Sequence, residues 1–318
     1  MKRPKKLALA LLLLALACII FALARIICLK IEAERINDLF RLVSLPEITY
    51  VQKVSRSDIK RFLTKEYGVR PTGNLVEIRD NTQCFGFVYT LDSGQELFGT
   101  LVAPKDYKTA NYPVIIVPCG YACLNKEDLS SPRHLYMLLS IASQGFVVLA
   151  SEGGQRYESY VEAEADEYMA YVKDTRTLID VAERLVFASE KIYLFSYFTP
   201  ASSTYLALRH DNRIDAAVII DGALDIDEGT IGFIVDAPEE KKQEIIEFFS
   251  MTFWYEEITV PVLIFETAFT RSPAGKQEAI AEILDSANNF DHYEYTLTTV
   301  AEGSSYIPEI TFEWLLAQ

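Results

Sequence analysis

The 318-residue sequence predicts an α/β fold in which a mostly parallel sheet is flanked by helices. Continuous apolar runs of strand length alternate along the chain with helical patterns, and examples are Pro113–Val117, Phe146–Ala150 and Ala216–Ile220. Such runs are typical of strands that are buried on both faces. Helices between them predict right-handed crossovers and parallel neighbouring strands. The first 30 residues differ in composition and predict an N-terminal transmembrane helix.

The N-terminal segment joins a basic cluster to a long apolar run. Residues 7–24 are all apolar and follow four basic residues, Lys2, Arg3, Lys5 and Lys6. A run of this length can cross a bilayer as a helix, so an uncleaved anchor is the favoured interpretation. The alternatives are a secreted protein cleaved after Ala15-Leu16-Ala17 and a lipoprotein lipidated at Cys18. The positive-inside rule predicts a single-pass membrane protein with its N-terminus in the cytoplasm and its body outside.

The sequence after the anchor, which we assign to residues 1–30, divides into a connector and one large domain. Residues 31–74 are charged and predict a mostly helical connector, with a short strand or turn near Ile48–Val51. Pro71-Thr72-Gly73 marks the end of the connector. Residues 75–318 can bury a full core as a single domain, because α/β folds commonly run past about 200 residues.

Apolar periodicity predicts the order of strands and helices in this domain. Strands are expected at 75–78, 84–90, 96–102, 113–117, 146–150, 192–195, 216–220, 260–265 and 293–300. Helices are expected at 135–143, 162–185, 201–209, 238–249, 276–287 and 306–316. Asp92-Ser93-Gly94 supplies a turn that joins the second and third strands as a hairpin. The acidic helix 238–249 is either a cap over a site or, as we favour, an outer helix with a core face.

Residues 191–225, KIYLFSYFTPASSTYLALRHDNRIDAAVIIDGALD, carry the most specific pattern in the chain. A buried strand, a turn and a helix follow one another, and a second buried strand ends at Asp221. This order is that of the nucleophile elbow of α/β-hydrolases, in which Gly-x-Ser-x-Gly forms the turn. Laid on that pattern, Ser196 and Pro200 take the glycine positions and Phe198 takes the position of the nucleophile.

The run RHDNRIDAAVIIDGALD resembles the platelet-activating factor acetylhydrolase branch of the α/β-hydrolases. In that branch a charged turn leads into a strand that ends at the acid of the catalytic triad. The resemblance implies this role for Asp221, which lies 23 positions after Phe198. The match continues upstream, in the family's order, with PVIIVPCGY, SQGFVVLASEG and DTRTLIDVAERL. It implies an α/β-hydrolase-like fold over residues 75–318 and, in an active member, hydrolysis of an ester.

Acyl transfer by this fold needs a nucleophile, a base and an acid that orients the base. A phenyl ring cannot attack a carbonyl, so Phe198 makes the elbow degenerate. The family places its base in the loop at 301–306, which has no histidine, and the three histidines lie elsewhere, at His134, His210 and His292. Asp221 remains at the family's acid position, and Glu266 is a second candidate for the acid. We therefore expect no Ser-His-Asp hydrolysis.

Hydroxyl groups near Phe198 could replace the nucleophile only in a shifted elbow, and the candidates are Ser196, Thr199, Ser202 and Ser203. A strained nucleophile requires a small residue two positions away on each side, because bulk there collides with the turn. None of the four has small residues on both sides. The sequence therefore predicts no nucleophile at the elbow.

A binding site is expected where the substrate cleft of the family lies. Cys119-Gly120 stands where many relatives have His-Gly, and Gly120 can still direct a backbone N–H into the cleft. Aromatic residues from this segment and from the elbow, Tyr121, Tyr197 and Phe198, are expected to line the cleft with Cys119 and Gly120. Cys119 is interpreted as a small buried thiol rather than a nucleophile, because no base is visible beside it.

The cysteines of the body are Cys84, Cys119 and Cys123. An oxidising compartment would allow one disulfide among them, and Cys119 and Cys123 are the closest pair in the sequence. The chain has no CxxC pair and no Cys/His spacing typical of a zinc site. The sequence therefore predicts neither a metal nor a cofactor.

Charge excludes one class of partner. The chain has a formal charge of −15, and the body without residues 1–30 keeps 24 Lys and Arg against 45 Asp and Glu, a charge of −21. Nucleic acid binding requires basic residues that neutralise phosphates, so nucleic acid is not an expected partner. The sequence thus predicts a membrane-anchored, catalytically inactive α/β-hydrolase-like protein that binds a small molecule or a protein, or acts as a scaffold. The alternative is an unconventional carboxylic-ester hydrolase, similar to an esterase or lipase.

Overall fold

The computed structural model describes most of the predicted sheet and the helices that cover it. The described residues are 18–27, 48–55, 57–59, 77–78, 80–91, 94–118, 132–151, 170–197, 201–220, 222, 238–266, 289–294, 307 and 310–318. Much of the predicted site falls outside them, at residues 119–131, 198–200 and 221.

The described strands form one nine-stranded sheet. They are β1 (Ile48–Lys53), β2 (Thr82–Thr90), β3 (Glu96–Pro104), β4 (Tyr112–Val117), β5 (Val147–Ser151), β6 (Ala188–Tyr197), β7 (Ala216–Ile220), β8 (Val262–Glu266) and β9 (Phe290–Glu294). Their order across the sheet is β1-β2-β3-β5-β4-β6-β7-β8-β9. The pairs β1–β2, β2–β3 and β3–β5 are antiparallel, whereas the pairs from β5–β4 to β8–β9 are parallel. The mostly parallel sheet that the sequence predicts is confirmed.

Helices cover both faces of this sheet. They are α1 (Pro132–Ser143), α2 (Ala170–Glu183), α3 (Ala201–His210), α4 (Glu239–Phe249) and α5 (Ile310–Ala317). Successive side chains of a strand point to opposite faces, and in β6 Leu194 belongs to one hydrophobic cluster and Phe195 to the other. The cluster of Leu194 includes apolar side chains of α2, α3 and α4, and the cluster of Phe195 includes those of α1 and α5.

The parallel strands end at a common edge of the sheet, which we call the carboxyl edge. Ser196 of β6 pairs with Ile219 of β7, Ile219 with Ile264 of β8, and Ile264 with His292 of β9. On its other side β6 is the neighbour of β4. The residues that follow β4 and those that follow β6 therefore leave the sheet from neighbouring strands, about 4.8 Å apart.

One segment near the start of the domain differs from the sequence prediction. Residues 77–78 are helical rather than extended, because the backbone N–H of Asn81 donates to Glu77 O at 3.0 Å and Thr82 Oγ1 donates to Ile78 O at 2.9 Å. β1 lies where the sequence predicts a short strand or turn, near Ile48–Val51, and it pairs with β2 at the edge of the sheet.

The acidic helix α4 packs against the core. Its Ile245 and Phe249 are buried, as are Met251 and Trp254 in the two short 3₁₀ turns that follow at Met251–Phe253 and Tyr255–Glu257. All four side chains belong to the cluster that α2 and α3 cover. These contacts support the interpretation of α4 as an outer helix with a core face.

The predicted anchor falls mostly outside the described residues. Its described part, residues 18–27, is helical, and its apolar side chains are exposed. Across the ranges that the structure describes, none of the helices has both the length and the apolar character needed to cross a membrane.

Candidate functional site

The strand and the helix that the sequence predicts on the two sides of the elbow are present. β6 ends at Tyr197, α3 begins at Ala201, and the three residues between them include Phe198. Phe198 itself and the side chain of Tyr197 lie outside the described residues. In the sequence, Phe198 directly follows the strand and precedes the helix, which is where the elbow pattern has its nucleophile, and the elbow itself stays a prediction.

Ser196 is buried within the sheet. Its side chain is fully inaccessible, and its backbone pairs with Ile219 of β7. Its Oγ has no hydrogen-bond partner within the described part of the chain. A hydroxyl in this position cannot meet a substrate, so Ser196 serves as the small residue before the turn and not as a displaced nucleophile.

The end of β7 lies against the start of α3. A Cβ atom added to Gly222 would stand 2.3 Å from Ala201 Cβ and 2.5 Å from Ile219 Cγ2. Only glycine permits this approach, because real Cβ atoms do not come so close to other carbons. Asp221, the predicted family acid, lies outside the described residues, between Ile220 at the end of β7 and Gly222.

The three histidines lie on three different elements of the structure. His292 is within β9, and β7 and β8 separate it from β6, so its backbone is about 14 Å from that strand. His210 is the last residue of α3, about 14 Å along the helix from Ala201. Burial and the neighbouring Arg209 lower the pKa of His210. His134 is in the first turn of α1, and the loop 301–306 is outside the described residues.

Glu266, the second candidate acid, is the last residue of β8 and pairs with Glu294, the last residue of β9. Its backbone therefore lies at the carboxyl edge, two strands from β6. This is the expected location of an acid at the edge of such a sheet, although its side chain is outside the described residues.

The predicted lining residues Cys119, Gly120 and Tyr121 follow β4 and lie outside the described residues, as does Cys123. Cys84 is a free thiol that is fully buried in β2, and burial raises its pKa to about 12. A thiol with so high a pKa is neither a nucleophile nor a metal ligand at neutral pH. Among the described residues, no group of three or more His, Cys, Asp or Glu could hold a metal ion.

A polar cluster beneath the carboxyl edge was not predicted from the sequence. It joins Tyr89 of β2, Ser151 of β5 and Asp174 of α2, and all three side chains are fully buried. One feature of the sequence could have indicated this cluster: Asp174 lies on the inward face of α2, four residues before Leu178. A carboxylate within an apolar stripe usually requires hydrogen-bond partners from another element.

One open depression of about 790 Å³ lies at the opposite, amino edge of the sheet. Its charged groups already pair with one another or with their neighbours. Lys191 Nζ is 3.0 Å from Asp215, and Arg213 Nη1 is 3.0 Å from Glu183. Because these pairs hold β6, β7 and α2 together, we interpret the depression as structural and keep the candidate site at the carboxyl edge.

No protein-family model matches the chain, and no curated protein matches it by sequence. Solved structures resemble it in fold, at low sequence identity. An acetyl xylan esterase from Paenibacillus sp. R4 is 16% identical with a TM-score of 0.59, and the match covers 90% of this chain and 93% of that one.

Two peptidases match over a smaller share of their own length. The Porphyromonas gingivalis dipeptidyl peptidase 4 is 17% identical with a TM-score of 0.52, and the match covers 75% of this chain and 36% of that one. The Pyrococcus horikoshii acylaminoacyl peptidase is 16% identical with a TM-score of 0.54, covering 73% of this chain and 40% of that one. The chain thus spans little more than a third of these peptidases. The likeness shows that the chain has an α/β-hydrolase-like fold.

Proposed function

We propose that this chain is a membrane-anchored relative of the platelet-activating factor acetylhydrolase branch that binds a ligand in the hydrolase cleft without Ser-His-Asp catalysis. One observation carries the proposal. β6 and α3 follow one another with three residues between them, as the strand and helix of a nucleophile elbow do, and the sequence has Phe198 where the elbow pattern has its nucleophile. Fold alone does not imply activity, which depends on the residues of the site.

The remaining catalytic roles support the same conclusion. Ser196 is buried inside the sheet and cannot act as a displaced nucleophile. The backbone of His292 lies in β9, three strands from β6, which supports the absence of a base at the elbow. Asp221 keeps the position of the family acid in the sequence, but an acid without a base and a nucleophile does no acyl transfer.

The neighbouring positions of β4 and β6 support a binding role. The residues that follow them, Cys119, Gly120 and Tyr121 on one side and Phe198 on the other, start from adjacent strands. Tyr197 is the last residue of β6. Pockets that bind small molecules are lined mainly by apolar and aromatic side chains with a few polar groups. We therefore propose an apolar or aromatic ligand, either a small molecule or the side chains of a protein partner.

Labelling of the full-length protein with a fluorophosphonate probe tests the absence of catalysis. We expect no stoichiometric labelling, and no hydrolysis of 4-nitrophenyl acetate above buffer, because no activated hydroxyl stands at the elbow. The variant Phe198→Ser should also stay inactive, because it restores the nucleophile without a base. Catalytic triads act as a unit, so one restored member does not restore the rate.

The alternative, an unconventional ester hydrolase, predicts the opposite result. Labelling at Thr199, Ser202 or Ser203 that disappears when that residue is replaced by Ala would overturn our proposal. A matched control is Ser196→Ala, which removes a buried hydroxyl that the probe cannot reach. This variant should therefore behave as the wild type under either hypothesis.

A further inference from the structure

The direction of β1 locates the point where the chain enters the sheet. β5 runs toward the carboxyl edge and ends there at Ser151, which pairs with Gly99 of the antiparallel strand β3. Leu97 lies two residues beyond Gly99 in the same direction and pairs with Tyr89 of β2. Ile48, the first residue of β1, pairs with Tyr89 in turn. The chain therefore enters the sheet at the carboxyl edge, about 7 Å beyond the level at which β5 ends.

The hairpin of β2 and β3 projects from the same edge. The two strands stay paired as far as Thr90 and Glu96. Two backbone hydrogen bonds close the turn beyond them. The N–H of Leu91 donates to Gln95 O at 2.9 Å, and the N–H of Gly94 donates to Leu91 O at 2.8 Å. The start of β1 and this hairpin thus form one corner of the sheet, at its carboxyl edge.

The segment that joins the proposed anchor to this corner is short. Residues 28–47, which we call the tether, separate the helical residues 18–27 from β1 in the sequence. A chain of that length covers about 30 Å as a helix and about 25 Å on average as a flexible coil. β3 extends about 30 Å between Glu96 at the carboxyl edge and Lys105, which follows its last residue, at the amino edge. A body that stood on its amino edge would therefore use up the whole usual reach of the tether.

The charged side chains of the amino edge favour contact with water. Lys191 Nζ lies 3.0 Å from Asp215, and these side chains are 48% and 29% exposed. Arg213 Nη1 lies 3.0 Å from Glu183, and these side chains are 28% and 47% exposed. A bilayer pressed against them would remove their water, and charged groups lose much free energy when they are desolvated. The amino edge is therefore the edge that faces the solvent.

The net charge selects the kind of lipid surface. The body has 24 Lys and Arg against 45 Asp and Glu, a formal charge of −21. Anionic headgroups attract basic segments of proteins, so they repel a body of this charge. A surface of neutral, zwitterionic phospholipids lacks this repulsion.

We propose that the body stands on the membrane with its carboxyl edge toward neutral phospholipid headgroups, so that the hydrolase cleft opens toward the lipid. This orientation rests on the anchor and the cleft of the proposed function. It adds the surface of the body that meets the membrane and the side from which the cleft is reached. A cleft that opens toward the water, with the amino edge against the lipid, is the opposite outcome.

Photo-cross-linking of the full-length protein in phosphatidylcholine nanodiscs tests the orientation. The photoreactive residue p-benzoylphenylalanine replaces Glu96 in one variant and Lys105 in a matched control at the other end of the same strand. Both side chains are exposed, so neither replacement disturbs the core. Mass spectrometry then measures the lipid attached at each position. We expect attached lipid at position 96 after illumination, and at position 105 no more than in a sample kept in the dark.

A third variant tests the anchor separately, with the same residue in place of Phe21, which is 71% exposed in the helical residues 18–27. Lipid at position 21 combined with at least as much lipid at 105 as at 96 would overturn the orientation and leave the anchor intact. Lipid at position 21 alone would also overturn it, because the carboxyl edge would then not touch the membrane. Absence of lipid at position 21 would contradict the anchor itself, and the orientation would fall with it.

Discussion

At the scale of single residues, Arg213 connects the turn before β7 to helix α2. Its Nε and Nη2 donate to the two carboxyl oxygens of Asp211 at 2.9 and 2.7 Å, and Nη1 donates to Asp180 at 2.5 Å. The Asp211 side chain is only 2% exposed. Burial would raise the pKa of Asp211, but the hydrogen bonds from the side chain and backbone of Arg213 lower it below its usual range.

Replacing Arg213 with Met should destabilise the protein by roughly 2–3 kcal/mol at pH 7 in chemical denaturation. Asp211 would lose its bidentate partner in a buried position, although Arg176 would remain 3.2 Å away. Lys241→Met, which removes a surface pair with Glu244, is the control and should cost less than about 0.5 kcal/mol. Equal losses in the two variants would show that the Arg213 pair contributes no more than a surface pair.

The depressed pKa of Asp211 also predicts a dependence on acid. Stability that comes from a lowered carboxyl pKa is present above the unfolded value, near about 3.9, and is lost as the pH falls through the folded value. The difference in unfolding free energy between the wild type and Arg213→Met should therefore shrink below about pH 4. A difference that stays constant down to pH 2 would contradict this assignment.

Gly222 offers a second test at this scale. The variant Gly222→Ala places a methyl group within 2.3 Å of Ala201 Cβ, so it should cost about 1–3 kcal/mol of stability through overpacking. Adding Ala201→Gly removes one of the two colliding atoms. We expect the double variant to lose less stability than the sum of the single variants, as measured in a double-mutant cycle. Strictly additive losses would mean that the two residues do not touch.

At the scale of elements, Trp254 attaches the segment after α4 to α3. Its ring is 4% exposed, its Nε1 donates to Phe248 O at 3.2 Å, and the Arg209 guanidinium lies 5.0 Å from the ring centre. Arg209 also forms two hydrogen bonds with Glu257, at 2.7 and 2.9 Å. These contacts join α3 to the segment by packing and by charge.

Trp254→Ala should lower the free energy of unfolding by about 3–5 kcal/mol, because it empties a buried aromatic site. Hydrogen exchange should show faster exchange in α4 and α3 than in the wild type. The control Phe253→Ala changes a neighbour that is 57% exposed and should have little effect. Unchanged exchange in α3 would show that the segment is an independent cap.

The sequence predicted elements well where burial is continuous. Ala216–Ile220 was predicted with its observed ends, because all five of its residues are apolar and buried. β6 begins four residues earlier than predicted, because its polar start pairs with β4 and Asp215 accepts the N–H of Ile192 at 2.9 Å. Hydrophobic periodicity cannot detect strand residues that are held by a partner rather than by burial.

The candidate site was predictable only in part, for a similar reason. Local pattern alone predicted the strand β6 and the helix α3 on the two sides of Phe198. The polar cluster of Tyr89, Ser151 and Asp174 depends on contacts between residues 62 and 85 positions apart. No pattern in a single sequence indicates that such distant residues are in contact. The fold must therefore be known before the cluster can be found.

At the scale of the whole molecule, the charge and the N-terminal run predict that the body lies outside the cytoplasm. In Glu256→Cys, a cysteine replaces an exposed residue of the body. A membrane-impermeant maleimide should label this variant in intact cells. The wild type is the control for labelling of the native cysteines, of which Cys84 is buried and Cys18 is exposed. Labelling that appears only after the membrane is permeabilised would reverse the proposed topology.

Among the described residues, β1 is the first strand after the helical residues 18–27, and residues 28–47 lie between them in the sequence. A chain of that length spans at most about 70 Å when fully extended. In the proposed topology the cleft is therefore confined to a thin layer next to the membrane. For a ligand in the same membrane, the effective concentration of the cleft would be set by the length of this tether and not by free diffusion in three dimensions. Even weak contacts at the carboxyl edge would then suffice for occupancy.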